Sequence, residues 1–154
     1  MRLEPEIFCA YIDHKSVPPC DLARLLQTHE GKNLYSGINE ARLATCQRFE
    51  IYTHSENMKF PVDVFGSLTR HVNILAGSYN ILRRLSSVAS GAESLLLGER
   101  FIPEQVSRAF RHVTAGGLLN HLSAQAILIS NDVRTQYNFF APTDYGGMER
   151  SFFI

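Results

Sequence analysis

The run Thr45-Cys46-Gln47-Arg48-Phe49-Glu50 sets a thiol, a guanidinium and a carboxylate at every second position. Side chains of an extended chain alternate faces, so Cys46, Arg48 and Glu50 would form one row, with Phe49 and Ile51 opposite. That row makes a poor core face and a good pocket wall. A cation near a cysteine favours the thiolate nucleophile. An arginine grips a carboxylate through two parallel hydrogen bonds, and a glutamate can receive an ammonium. An amino acid carrying an extra carboxylate, presented to a thiol, fits the row. The competing reading makes Cys46 a small buried hydrophobe and Arg48–Glu50 a surface ion pair of little worth.

A second stretch, from Ser90 to Glu99, closes three leucines between Gly91 and Gly98. It reads as a helix junction, and Ser94 and Glu99 could equally line a polar site. Around it lies a local excess of arginine. Arg70, Arg83, Arg84, Arg100, Arg108 and Arg111 stand against Glu93, Glu99 and Glu104. The whole chain is neutral, with 15 basic and 15 acidic residues, so any anionic partner must be met by such a patch. Arg83, Arg84, Arg100 and Arg108 are the candidates for an RNA backbone.

Other chemistries find no support. The six histidines lack ligand spacing, so no metal is expected. No Gly-x-Gly-x-x-Gly follows a strand, so no cofactor is expected within this chain. Cys9, Cys20 and Cys46 cannot all pair and form no Cys-x-x-Cys, which favours a reducing compartment. The first residues carry acids and no apolar run, and nothing approaches a membrane span. A cytoplasmic protein without membrane contact is expected.

The elements that must position these residues follow from periodicity. Ile7–Ile12 is apolar on both faces and predicts a strand inside a sheet. Pro18-Pro19 opens a helix carrying Leu22, Leu25 and Leu26, and Glu30–Asn33 reads as a loop. Ala41–Thr45 and Phe49–Thr53 predict two more strands, joined either continuously or through a bulge. Beyond Pro61, four apolar stripes predict helices: Phe65 to Leu75, Ile81 to Ala89, Val106 to Val113, and Leu118 to Val133. Gly91 is expected to stop the second of these and Gly116-Gly117 the third. The expected class is α+β. A small mixed or antiparallel sheet subdomain with helices (1–58) carries the cysteine motif. A four-helix bundle-like subdomain (59–137) and a tail (138–154) follow.

Three segments together resemble the N-terminal domain of glutamyl-tRNA reductase, the first enzyme of the five-carbon route to tetrapyrroles. They are Asp13-His14-Lys15-Ser16-Val17-Pro18, Ala44-Thr45-Cys46-Gln47-Arg48-Phe49-Glu50-Ile51-Tyr52, and Val88 to Glu99. Val133-Arg134-Thr135-Gln136-Tyr137 is similar to the family's closing motif. The resemblance implies that Cys46 attacks the ester of glutamyl-tRNA and holds the glutamyl group as a thioester. It implies that Thr45, Arg48, Glu50, Ser94 and Glu99 line the glutamate pocket. Gln47 stands where the motif has asparagine, and Arg84 where the family has a histidine. The family's NADPH-binding and dimerisation domains have no counterpart here. The expectation is therefore a stand-alone form, with NADPH supplied only by another domain or a separate reductase subunit. The alternative is a regulatory module, keeping the fold without turnover, that binds tRNA, haem or the true reductase.

Overall fold

The computed structural model describes residues 6–29, 39–54, 62–95, 98–114 and 117–137. The expected Glu30–Asn33 loop and the tail from residue 138 lie outside these residues.

Ile7–Asp13 forms β1 and Pro19–His29 forms α1. Glu40–Thr45 (β2) and Arg48–His54 (β3) make a hairpin with only Cys46-Gln47 between them. The short helix α2 (Val62–Phe65) runs into a 3-10 segment, Gly66–His71, and then into β4, Asn73–Ala76. Helices α3 (Ser78–Ala89), α4 (Ile102–Phe110) and α5 (Leu118–Tyr137) complete the order. The sheet is wholly antiparallel in the order β2-β3-β1-β4. The α+β class is as the sequence predicts.

The stretch from Phe65 to Leu75 departs from expectation. Its apolar residues recur at helical spacing, yet it holds one helical turn, a 3-10 segment and a strand, so among the described residues three helices pack beyond it where four were predicted in all. Gly66 explains the break, because its φ of 52° ends α2 in a conformation that glycine takes readily. The following Asn73–Ala76 pairs with the free edge of β1. Tertiary pairing overrides the local period. The sheet thus takes its fourth strand from beyond residue 58.

Alternation along β1 and β3 assigns the two faces. Ile7 and Cys9 with Tyr52, Ala41 and Leu43 pack under α3, α4 and α5. Ala10, Ile12, Phe49 and Ile51 pack against α1 and α2, with Phe49 and Phe65 rings 5.5 Å apart. Strand β3 is covered on both faces. The register pairs Tyr11 with Glu50 and Asp13 with Arg48, so these four share the face covered by α3–α5, at the end of the sheet.

Candidate functional site

Cys46 sits at the tip of the β2–β3 hairpin and is exposed. The row predicted for an extended segment is therefore broken. Arg48 and Glu50 do share one face of β3, but Cys46 belongs to the turn, and the competing reading fails as well. The thiol is not core, and Arg48 and Glu50 are both fully buried, at 0% exposure. Cys9 is the core cysteine, its thiol pushed well up by burial and by nearby Glu50.

The turn is pinned on three sides. Thr45 is buried, and its Oγ1 accepts the Gln47 N–H at 3.2 Å. The Gln47 carbonyl accepts the His14 N–H at 2.9 Å, extending the β1–β3 ladder by one step. The Gln47 amide reaches across to the segment after α3. Its Oε1 accepts the Leu95 N–H at 2.8 Å and its Nε2 donates to Glu99 Oε2 at 3.2 Å. The glutamine that departs from the family's asparagine is thus the brace between the thiol's turn and the Gly91–Glu99 loop.

That loop has a fixed base. Gly98 N–H donates to the Gly91 carbonyl at 2.9 Å, and Gly91 holds φ 80°. Arg134 of α5 clamps the base, donating to the carbonyls of Gly98 (3.0 Å), Ala89 (2.9 Å) and Glu99 (2.6 Å). Arg48 donates from Nη2 to the Glu93 carbonyl at 3.0 Å. Among the described residues its Nε and Nη1 are buried without a hydrogen-bond partner, and so is the Ser94 hydroxyl. Buried polar groups are ordinarily paired, so Arg48 and Ser94 keep donors able to take a further acceptor.

Glu50 does not face a ligand. Its Oε1 takes Arg84 Nη2 at 2.5 Å and Nε at 3.2 Å, and its Oε2 takes the Tyr52 hydroxyl. The expected role in receiving a substrate ammonium is corrected to that of an internal counter-charge. Glu99, half-buried at the brace, is the acid left at the edge of the site.

Arg84, expected at an RNA backbone, turns inward instead. It is buried, bonded to Glu50 and to Asp13 Oδ2 (3.2 Å), and stacked 3.8 Å above the Tyr11 ring. Burial alone would lower its pKa, and the Glu50 carboxylate reverses that and raises it. Arg83, Arg100 and Arg108 are exposed, and Arg108 pairs with Glu104 at 2.8 Å. A recess of about 240 Å³ is lined by Leu75, Asn80, Arg83, Arg84, Ser87 and Glu93.

Asp13 and Glu93 ionise below the usual carboxylate range. Burial pushes Asp13 up, but the charge and hydrogen bond of Arg84, with the Lys15 N–H, more than reverse it. Glu93 is lowered first by its hydrogen bond from the Lys15 ammonium, against partial burial. Carboxyls depressed in the fold bind fewer protons there than in the unfolded chain. Their stabilisation is complete above about pH 5 and lost as pH falls through the folded values. The melting temperature should hold between about pH 7 and about pH 5 and drop below about pH 4. Melting curves across that range check it, and a drop already complete at pH 5 would contradict it. Lys15→Met should shrink the drop only slightly, because the Lys15 side chain is 58% exposed.

Sequence reasoning missed Gln47, Arg84, Asp13 and Arg134 as structural members of this site. Two of them were visible as departures from the family motif and two as parts of the motif segments themselves.

Among the described residues no group of three His, Cys, Asp or Glu side chains could hold a metal, and no helix is long and apolar enough to cross a membrane.

Comparison with known proteins gives one consistent answer. The family profile described as glutamyl-tRNAGlu reductase, N-terminal domain, matches residues 9–137. The glutamyl-tRNA reductase of Hyperthermus butylicus is 32% identical over 145 residues, covering 88% of this chain and 35% of that protein. That of Archaeoglobus fulgidus is 30% identical over 143 residues, covering 85% and 32%. The solved glutamyl-tRNA reductase from Methanopyrus kandleri shares the fold, with a TM-score of 0.63 at 24% identity, over 84% of this chain and 34% of that one. The chain spans about a third of the length of these relatives.

Proposed function

The chain belongs to the family of glutamyl-tRNA reductase N-terminal domains, and from that premise we propose that it accepts a glutamyl group from glutamyl-tRNA onto Cys46. The observation that carries this reading is the exposed thiol, held on a two-residue turn and braced by Gln47 to the loop where Arg48 and Ser94 keep buried, unpartnered donors. A side-chain carboxylate of the right reach would take the Arg48 fork and the Ser94 hydroxyl. Its ammonium would meet Glu99, and its ester carbonyl would lie toward the thiol.

In this step the Cys46 sulfur attacks the ester carbonyl carbon. The S–C bond forms and the C–O bond to the terminal ribose breaks. The thiol proton ends, through solvent, on the released ribose hydroxyl. The products are a glutamyl thioester and deacylated tRNA. Binding energy from the rest of the tRNA positions the ester, and exposed Arg83, Arg100 and Arg108 are the candidates to meet its backbone. Reduction of the thioester takes a hydride donor. The family points to NADPH held by another domain or a separate reductase subunit, and no residue of this chain is assigned to it. Tetrapyrrole synthesis is the setting this chemistry fits.

Intact-mass spectrometry after mixing with glutamyl-tRNA is the test. The expected result is one added glutamyl mass that hydroxylamine removes and that Cys46→Ser lacks. No adduct, with ester loss no faster than in buffer, would overturn acyl transfer and leave the module that binds without turnover.

A further inference from the structure

We infer that Arg84 is a positioning residue that keeps Glu50 off Arg48, reserving the Arg48 guanidinium for a ligand carboxylate and so setting a preference for an acyl group ending in carboxylate over its amide. The inference rests on the acyl-transfer reading above and deepens it.

The argument is one of pairing. Two buried cations, Arg48 and Arg84, share the helix-facing side of the sheet end with two buried acids, Asp13 and Glu50. Equal numbers would normally pair one to one. Instead Arg84 takes both acids, through Nη2 to Asp13 at 3.2 Å and through Nη2 and Nε to Glu50 at 2.5 and 3.2 Å. The Glu50 oxygen so engaged lies 3.9 Å from Arg48 Nη1, too far for a hydrogen bond. Its other oxygen is held by Tyr52. Among the described residues Arg48 is left with one backbone carbonyl and two nitrogens without a hydrogen-bond partner, at full burial.

A buried cation in that condition is costly unless an acceptor arrives. An incoming carboxylate supplies both charge and two acceptors, whereas an amide supplies one acceptor and no charge. Were Arg84 absent, the freed Glu50 oxygen would need to move by only about an ångström to close on Arg48, and the ligand would then compete with an internal carboxylate. The stacking of Arg84 on Tyr11 and its contact with Glu93 Oε2 at 3.9 Å keep the guanidinium at the Glu50 side.

The test is a binding experiment that needs no thioester. In a Cys46→Ser background, calorimetry compares glutamic acid α-methyl ester with glutamine methyl ester, which mimic the two acyl groups. The parent is expected to prefer the acid by about tenfold or more. Arg84→Gln should reduce that preference to about twofold or less, through weaker binding of the acid. Adding Glu50→Gln to Arg84→Gln should restore most of the preference, because no internal acid then competes for Arg48. A merely structural role would weaken both esters alike and leave their ratio unmoved, so the acid-to-amide ratio is the readout. Melting curves check that the double variant, in which a buried ion pair is neutralised on both sides, is folded. An unchanged preference in Arg84→Gln, a double variant no better than the single, or a parent without preference would each overturn the inference. Failure of acyl transfer itself would show separately, as the missing glutamyl adduct on Cys46.

Discussion

Gly91→Ala is expected to abolish glutamyl transfer to Cys46 while leaving the sheet and the three long helices intact. Two independent features of the site require glycine here. The backbone holds φ 80°, a left-handed conformation that costs an alanine about 1–2 kcal/mol. A Cβ built on Gly91 would lie 2.5 Å from the Gly98 Cα and 2.6 Å from the Glu99 nitrogen, both backbone atoms that cannot rotate away. The two strands of the loop base, joined by the Gly98 N–H to the Gly91 carbonyl, must therefore separate.

Separation moves three groups of the site together. The Glu93 carbonyl anchors Arg48, Ser94 carries the second unpartnered donor, and the Leu95 N–H holds the Gln47 brace. Displacement of about 1 Å in such a constellation lowers rate by about a hundredfold, and here every element shifts at once. Neither hydrophobic cluster includes the loop, so far-ultraviolet circular dichroism should match the parent. Adduct formation is followed by mass spectrometry in parallel. Acylation at the parental rate would show that the loop plays no part in the site.

The backbone frame was legible where sequence signals are local. A continuous apolar run gave β1, Pro19 opened α1, and Gly91 stopped α3 with the positive φ its position implied. Leu75 was misread because a helical period over ten residues cannot reveal that β1 has a free edge waiting to be paired. At the site, residue types were informative but their pairing was not. The alternation that put Arg48 and Glu50 on one face is correct, yet the same rule placed Cys46 beside them because it could not see the two-residue turn. The partners that decide the chemistry come from far along the chain. Arg84 reaches Glu50 across 34 positions and Gln47 reaches Glu99 across 52. Motif resemblance marked these positions without their roles, since a substitution such as histidine to Arg84 acquires meaning only through what it touches.

Glu50→Ala is expected to be the most destabilising single change at the site. Glu50 is fully buried and joins three groups: Arg84 through Oε1, Tyr52 through Oε2, and Arg48 at 3.9 Å. Its removal leaves two arginines against Asp13 and the more distant Glu93, 3.9 Å from Arg84, and a phenol without its acceptor. Burial pushes the Tyr52 hydroxyl well up, with Cys9 and Glu50 adding to it, so the phenol stays protonated and cannot shed its unpaired donor by ionising. Breaking a buried pair by deleting one partner costs about 3–5 kcal/mol, because the remaining charge is uncompensated. For a domain of this size that lowers the melting temperature by about 10 °C. Glu50→Gln should lose much less, since an amide oxygen still accepts from Arg84 and the side-chain volume is kept. Urea and thermal unfolding of both variants measure the difference. A Glu50→Ala penalty below about 1 kcal/mol would mean that water enters and solvates the cluster. In that case Arg48 would already be hydrated, and the affinity of the site for a carboxylate would have to come from elsewhere.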